Sequence, residues 1–128
     1  WIDDSKATNV GAAVASIGSL DGPLVLIAGG DGKGASFSML ADALRGRECV
    51  AVLLGRDREL LATALQGICP VQRVDDMPAA VRAARAVAKR GWTVLLAPAC
   101  SSLDMYRDYG ARGDAFRAAV LALAENGA

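Results

Sequence analysis

Three short, unbroken apolar runs constrain this chain more than any other feature. They are Leu24-Val25-Leu26-Ile27-Ala28 before Gly29, Val50-Ala51-Val52-Leu53-Leu54 before Gly55, and Val94-Leu95-Leu96-Ala97 before Pro98. A strand with one wet face alternates apolar and polar residues; a run without alternation is built to be covered on both faces. Between these runs lie segments whose apolar residues recur at helical spacing. Strand and helix therefore alternate along the chain, which predicts an α/β fold: a Rossmann-like, mostly parallel sheet flanked by helices. Val71-Gln72-Arg73-Val74 reads as a weaker, peripheral strand, and Trp1-Ile2-Asp3 as a short one at the start.

The helical segments carry legible ends. Helices are predicted over 9–20 and 37–44. Asp57 is expected to cap a third, in which Leu61, Ala64 and Leu65 share a face, with Gly67 stopping it. Asp75 or Asp76 caps a fourth, with Pro78 in the first turn, where a missing N–H costs little. Its buried stripe is Ala80, Val81, Ala84, Val87 and Ala88. Arg82, Arg85, Lys89 and Arg90 form its solvated face, and Gly91 closes it. Asp114 is expected to cap a last helix with Phe116, Ala119, Val120 and Leu123 facing inward.

Charge and residue usage exclude whole classes of function. Fourteen basic and fourteen acidic side chains leave no net charge, so the chain lacks the basic excess of a nucleic-acid or anionic-membrane binder. It contains no histidine, which removes Ser-His-Asp and Cys-His catalysis and any His-ligated metal. Cys49, Cys69 and Cys100 stand 20 and 31 residues apart with no CxxC, so neither a zinc knuckle nor a redox dithiol is expected. They read instead as buried free thiols in a reducing, cytoplasmic compartment. No apolar run approaches the ~20 residues that span a bilayer. The 128 residues predict a single domain. The opening Trp1-Ile2-Asp3-Asp4, acidic and without Met, predicts a piece of a longer protein that starts at a domain boundary.

In open α/β sheets ligands bind at the carboxyl ends of the strands, and three such ends carry polar loops here. The first is Gly29-Gly30-Asp31-Gly32-Lys33-Gly34-Ala35-Ser36. It is expected to enter a helix, so that its N–H groups would point at an anion, and Lys33 adds a positive charge there. It is not a P-loop, because Ile27 stands at the first glycine position and Gly34 at the hydroxyl position. Gly30-x-Gly32-x-x-Ala35 is a looser match to a dinucleotide fingerprint, with Asp57 near the place of its acidic residue. A plain glycine turn with a solvated lysine is the simpler alternative. The second loop is Ala97-Pro98-Ala99-Cys100-Ser101-Ser102-Leu103-Asp104, leading to Tyr106 and Tyr109. Its hydroxyls and N–H groups suit a carboxylate, or Ser101 or Ser102 simply caps a short helix. Cys100 has no base to activate it. The third, Asp3-Asp4-Ser5-Lys6-Ala7-Thr8-Asn9, could be a helix cap in an exposed loop. No paired general acid and base is present, so the three together point to binding and positioning.

Asp4-Ser5-Lys6-Ala7-Thr8-Asn9, Gly29-Gly30-Asp31-Gly32-Lys33 and Pro98-Ala99-Cys100-x-Ser102-Leu103-Asp104, in this order, resemble motifs of the D-glutamate-adding branch of the Mur ligases. Arg112-Gly113-x-x-Phe116 resembles that branch's C-terminal signature. The resemblance covers residues 1–128 and corresponds to the third, C-terminal domain of a three-domain ligase. Other branches generally keep a histidine in the first motif; this chain has none.

The resemblance implies a reaction in peptidoglycan precursor synthesis. ATP phosphorylates the carboxylate of UDP-MurNAc-L-alanine, and the amine of D-glutamate displaces phosphate from the acyl phosphate. ATP and Mg2+ would be held mainly by a central domain against which this one packs, so this chain alone should catalyse nothing. By position, Lys33 and Thr8 would bind one carboxylate of D-glutamate and Ser102 the other, with Lys6 close by. Asp4 would touch the ATP ribose when the domains close. Tyr109 stands where the family typically has Phe lining the glutamate site, and Ser101 where a small residue such as Ala is common. A free-standing Rossmann-type nucleotide-binding module is the alternative reading.

Overall fold

The computed structural model describes residues 1–125. Five strands, β1 (Ile2–Asp3), β2 (Leu24–Gly29), β3 (Cys49–Leu54), β4 (Val71–Arg73) and β5 (Thr93–Leu96), form one sheet in the order β1-β5-β2-β3-β4. Every pairing is parallel. The central β2 is buried along its whole length, as its unalternating sequence requires. The weaker run at 71–74 is indeed an edge strand, three residues long.

Five helices cover the two faces: α1 (Val10–Gly18), α2 (Ser38–Leu44), α3 (Arg58–Ala64), α4 (Met77–Val87) and α5 (Tyr109–Glu125). Because successive strand residues point to opposite faces, each apolar run feeds two cores. Leu24, Leu26, Ala51, Leu53 and Leu95 pack with α1, α2 and α3 through Ala13, Ile17, Leu40, Leu44 and Leu61. Val25, Ile27, Val52, Val94 and Leu96 pack with α4 and α5 through Met77, Val81, Ala84 and Phe116.

The predicted caps are met in part. Asn9 caps α1 by accepting from the Ala12 N–H at 2.9 Å, and Asp76 caps α4 by accepting from the Ala79 N–H at 2.9 Å. Helix α4 ends at Val87, four residues before Gly91. Asp114 is not a cap: α5 begins five residues earlier, and Asp108 accepts from the Ala111 N–H at 2.7 Å. Asp57 occupies the N-cap position of α3 without a capping bond, because its carboxylate is engaged elsewhere. Residues 102–108 form turns and bends, with no short helix for Ser101 or Ser102 to cap.

The sheet order sets the place of any site. From β2 the chain moves outward to β3 and β4, then returns to add β5 on the other side of β2. The crevice between the carboxyl ends of β2 and β5 is thus a topological switch point, where open α/β sheets take their ligands.

Candidate functional site

The two loops that leave this switch point are those carrying Lys33 and Ser102. They are joined by an antiparallel bridge: the Asp31 N–H donates to the Ser101 carbonyl at 3.0 Å, and the Ser101 N–H to the Asp31 carbonyl at 2.8 Å. The Gly29 N–H donates to the Pro98 carbonyl at 3.0 Å. The third loop, after β1, joins them where the Ala99 N–H donates to the carbonyl of Ala7, the residue before Thr8, at 3.0 Å. The three polar loops therefore form one connected surface.

Close backbone approach explains the glycines. A Cβ on Gly30, whose φ is +133°, would lie 2.2 Å from the Ser101 carbonyl oxygen; one on Gly55, at φ +87°, would lie 2.6 Å from the Gly30 nitrogen. Among the described residues, Lys33 (φ 52°) and Ala99 (φ 62°) are the non-glycine residues in left-handed backbone. One sits on each loop of the switch point. Such conformations cost of order 1 kcal/mol and persist where surrounding structure holds them.

The glycine loop is held by carboxylates. The Gly32 N–H donates to Asp57 Oδ2 at 2.7 Å and the Lys33 N–H to Asp31 Oδ1 at 2.9 Å. Helix α2 starts only at Ser38, so the loop does not open directly into a helix. Two of the N–H groups that a pyrophosphate would need are taken by anionic side chains, which removes the physical basis of the dinucleotide fingerprint. The cation offered here is the Lys33 side chain, which is exposed.

Ser102 is 3% exposed, and its carbonyl accepts from the N–H groups of Met105 at 3.1 Å and Tyr106 at 2.8 Å. The local side-chain turn bond comes from its neighbour, since Ser101 Oγ accepts from the Leu103 N–H at 3.3 Å. Cys100 is fully buried, and burial pushes its thiol up to about 12, so it is no nucleophile.

Lys6 and Tyr109 are also brought together. With Asp3, Ser5, Gly110, Gly113, Asp114 and Arg117 they line a depression of about 320 Å³ at the start of α5. Tyr109 is 53% exposed, so its hydroxyl is not forced to find a buried partner. Asp4 lies at the end of β1, where its carboxylate accepts from the Ser16 hydroxyl of α1. No cluster of three His, Cys, Asp or Glu side chains is placed to share a metal ion among the described residues.

With this geometry, the match to a family model is decisive: residues 1–100 match the Mur ligase, glutamate ligase domain. The chain belongs to the Mur ligase family. It is 56% identical over 124 residues to the UDP-N-acetylmuramoylalanine–D-glutamate ligase of Methylococcus capsulatus, covering 97% of this chain and 27% of that relative. Against the enzyme of the same name from Chromohalobacter salexigens it is 56% identical over 121 residues, 91% of this chain and 27% of the relative. Against that from Pseudomonas savastanoi it is 54% identical over 124 residues, 94% and 28%. The chain thus spans little more than a quarter of the length of these relatives.

The residue that organises this Mur ligase domain is one to which the sequence alone assigns no role. Arg112, on α5, is 3% exposed. Its Nε donates to Ser5 Oγ at 3.0 Å and its Nη2 to the Ser5 carbonyl at 2.9 Å; its Nη1 donates to the carbonyls of Cys100 at 3.0 Å and Gly29 at 3.4 Å. One guanidinium therefore holds all three loops. Ser5 Oγ in turn donates to the Tyr109 carbonyl at 2.6 Å. Burial lowers the Arg112 pKa, while the charges around it, Asp104 and Asp3 among them, act in the opposite direction. The sequence signal was Arg112-Gly113-x-x-Phe116, legible as a motif but silent about what the arginine touches.

Proposed function

We propose that this chain is the third, C-terminal domain of an ATP-dependent amide ligase and carries its D-glutamate site. The ligase joins D-glutamate to UDP-MurNAc-L-alanine in the cytoplasm, through an acyl phosphate, as a step of peptidoglycan precursor synthesis. The observation that carries the reading is the switch point of the sheet, whose two loops bear Lys33 and Ser102 and each hold one non-glycine residue, Lys33 and Ala99, in left-handed backbone. A dicarboxylic amino acid needs donors at two separated places. A lysine charge with the Thr8 hydroxyl on one side, and the Ser102 hydroxyl with backbone N–H groups on the other, meet that need. Lys6 adds positive charge nearby, and Tyr109 supplies an aromatic wall.

The residues present do not suit ATP and Mg2+ as residents of this domain. In the glycine loop the N–H groups of Gly32 and Lys33 are taken by Asp57 and Asp31, and the described residues offer no cluster of three metal-ligating side chains. We assign both to the central domain of the ligase, with Asp4 touching the nucleotide ribose on closure. The same two carboxylates argue against the free-standing nucleotide module. No described helix is long and apolar enough to cross a membrane.

Lys33→Ala in the intact ligase tests the site. The KM for D-glutamate should rise ~100-fold or more, as expected for losing a charge-assisted contact of about 3 kcal/mol. The melting temperature should stay within a degree or two, because the side chain is exposed. An unchanged KM removes Lys33 from the site. Tight ATP binding by the isolated chain would favour the nucleotide module instead.

A further inference from the structure

Cys49 and Cys69 are 20 residues apart, with no motif to link them, yet the fold sets them side by side. Strands β3 and β4 pair in parallel with Ala51 opposite Val71, Val52 opposite Gln72 and Leu53 opposite Arg73. The offset is 20 at every pair; carried two steps back, beyond the end of β4, it brings Cys69 to Cys49, and the two thiols lie within hydrogen-bond reach of each other. The Ala51 N–H donates to the Pro70 carbonyl at 3.0 Å, which fixes the Ala51–Val71 pair at the end of β4 nearest Cys69. Both side chains lie on the face covered by α1, α2 and α3: Cys49 is buried there, and Cys69 packs against the same cluster. Neighbouring strands run ~4.8 Å apart, within the ~4.4–6.8 Å that a disulfide spans between Cα atoms. The two thiols are thus neighbours in space although no CxxC links them in sequence.

The pair also has an entrance. Cys69 is half-buried and lines an open depression of about 360 Å³ with Ala62, Thr63, Gln66, Gly67, Val71 and Arg73. Cys49 is lowered to about 7, chiefly by the hydrogen bond from the Cys69 thiol and further by the charge of Arg47, against the opposing effect of burial. Cys69 is raised, because it holds the proton the two sulfurs share. Cys100, fully buried and pushed up to about 12, has neither an entrance nor a partner among the described residues and serves as an internal control.

We propose that Cys49 and Cys69 form a thiol-oxidation site that closes to a reversible disulfide across the β3–β4 edge. The oxidant is a low-molecular-weight disulfide of the glutathione class. Cys69, reached through the depression, passes its proton to the Cys49 sulfur and attacks one sulfur of that disulfide as the thiolate; the S–S bond of the small disulfide breaks, and the small thiolate that leaves takes the proton from Cys49. The Cys49 thiolate then attacks the Cys69 sulfur, and the second small thiolate departs and is protonated. Two protein thiols are oxidised and one small disulfide is reduced to two small thiols. The ring closed between residues 49 and 69 contains Asp57, whose carboxylate holds the Gly32 N–H, so it fastens one support of the Lys33 loop.

Incubation of the native chain with oxidised glutathione, followed by mass spectrometry, tests this. The expected product is lighter by about 2 Da, carries no glutathionyl group, joins the tryptic peptides of Cys49 and Cys69, and leaves Cys100 free to alkylation after denaturation. In Cys49→Ser the oxidant should leave a lasting glutathionyl group on Cys69, since the resolving thiol is gone. A stable glutathionyl group on Cys69 with Cys49 intact would overturn the proposal. So would capture of Cys100, which would mean that oxidation follows unfolding.

Discussion

The two loops at the switch point are neighbours built on opposite plans. The loop after β5 is an interior structure: Ala99 and Cys100 are buried, Ser102 is 3% exposed, and its carbonyls are fastened to Arg112 and to the turn that follows. The loop after β2 exposes Lys33, Gly34, Ala35 and Ser36, and the N–H groups of Gly32 and Lys33 are held by the carboxylates of Asp57 and Asp31. One loop offers a donor whose position is set by packing; the other offers a charge on a long side chain whose root alone is fixed. A site assembled this way separates the residues that place a ligand from those that attract it, and substitutions should sort accordingly.

The largest effect should come from the buried loop's anchor. Arg112→Met removes four hydrogen bonds and leaves the carbonyls of Ser5, Cys100 and Gly29 short of a donor. We expect a loss of about 4 kcal/mol in urea denaturation, together with weakened D-glutamate use in the intact ligase. Arg112→Lys should recover only a minor part, because an ammonium cannot reproduce the guanidinium fork. A loss below ~1 kcal/mol would mean that the three loops hold together without it.

Next come two glycines of the other loop, the one after β2. Gly30→Ala forces a Cβ to within 2.2 Å of the Ser101 carbonyl oxygen, where neighbouring backbone must move, and should cost ~3 kcal/mol. Gly34→Ala, at φ +77° with nothing within 4 Å, meets only the backbone penalty of about 1 kcal/mol. Thermal unfolding of the two variants compares the end of the loop sealed against its neighbour with the end open to solvent. Equal losses would break the distinction.

The fold was largely legible because burial on both faces leaves a signature that survives without context. The runs at 24–28, 50–54 and 94–97 admit no other placement in a domain of this size, and Asn9 and Asp76 cap helices through bonds only three residues long. What stayed hidden depends on sheet order. Asp57 looked like a cap because it precedes a helix, whereas its partner, the Gly32 N–H, lies 25 residues away on the neighbouring strand's loop. Helix α5 starts earlier than its sequence predicts: Gly110 and Gly113 disfavour helix, while Asp108 and the packing of Arg112 and Phe116 override that preference. The partners of Arg112 are 12 to 107 residues away, and those of Cys49 become visible only once the β3–β4 register is known. The candidate ligand residues were legible as motifs; the groups that hold them were not, since a motif records which residues recur and not what they touch.

The smallest expected effect separates adjacent hydroxyls in the buried loop. Ser101 Oγ accepts one bond, from the Leu103 N–H at 3.3 Å, in a partly exposed turn; Ser101→Ala should cost only ~0.5 kcal/mol and leave the KM for D-glutamate unchanged. Ser102 is buried, and no hydrogen bond of its hydroxyl fastens the turn among the described residues. Ser102→Ala should therefore also leave stability within about 1 kcal/mol, yet raise that KM roughly 10-fold, about 1.4 kcal/mol, the low end for one hydroxyl hydrogen bond to a ligand carboxylate. The pair is informative because the two serines share a loop, a side-chain type and a neighbourhood. If both substitutions act on KM alike, the loop works as a unit and Ser102 is no ligand. If only Ser102→Ala does so, the turn and the ligand contact are separate tasks carried by successive residues.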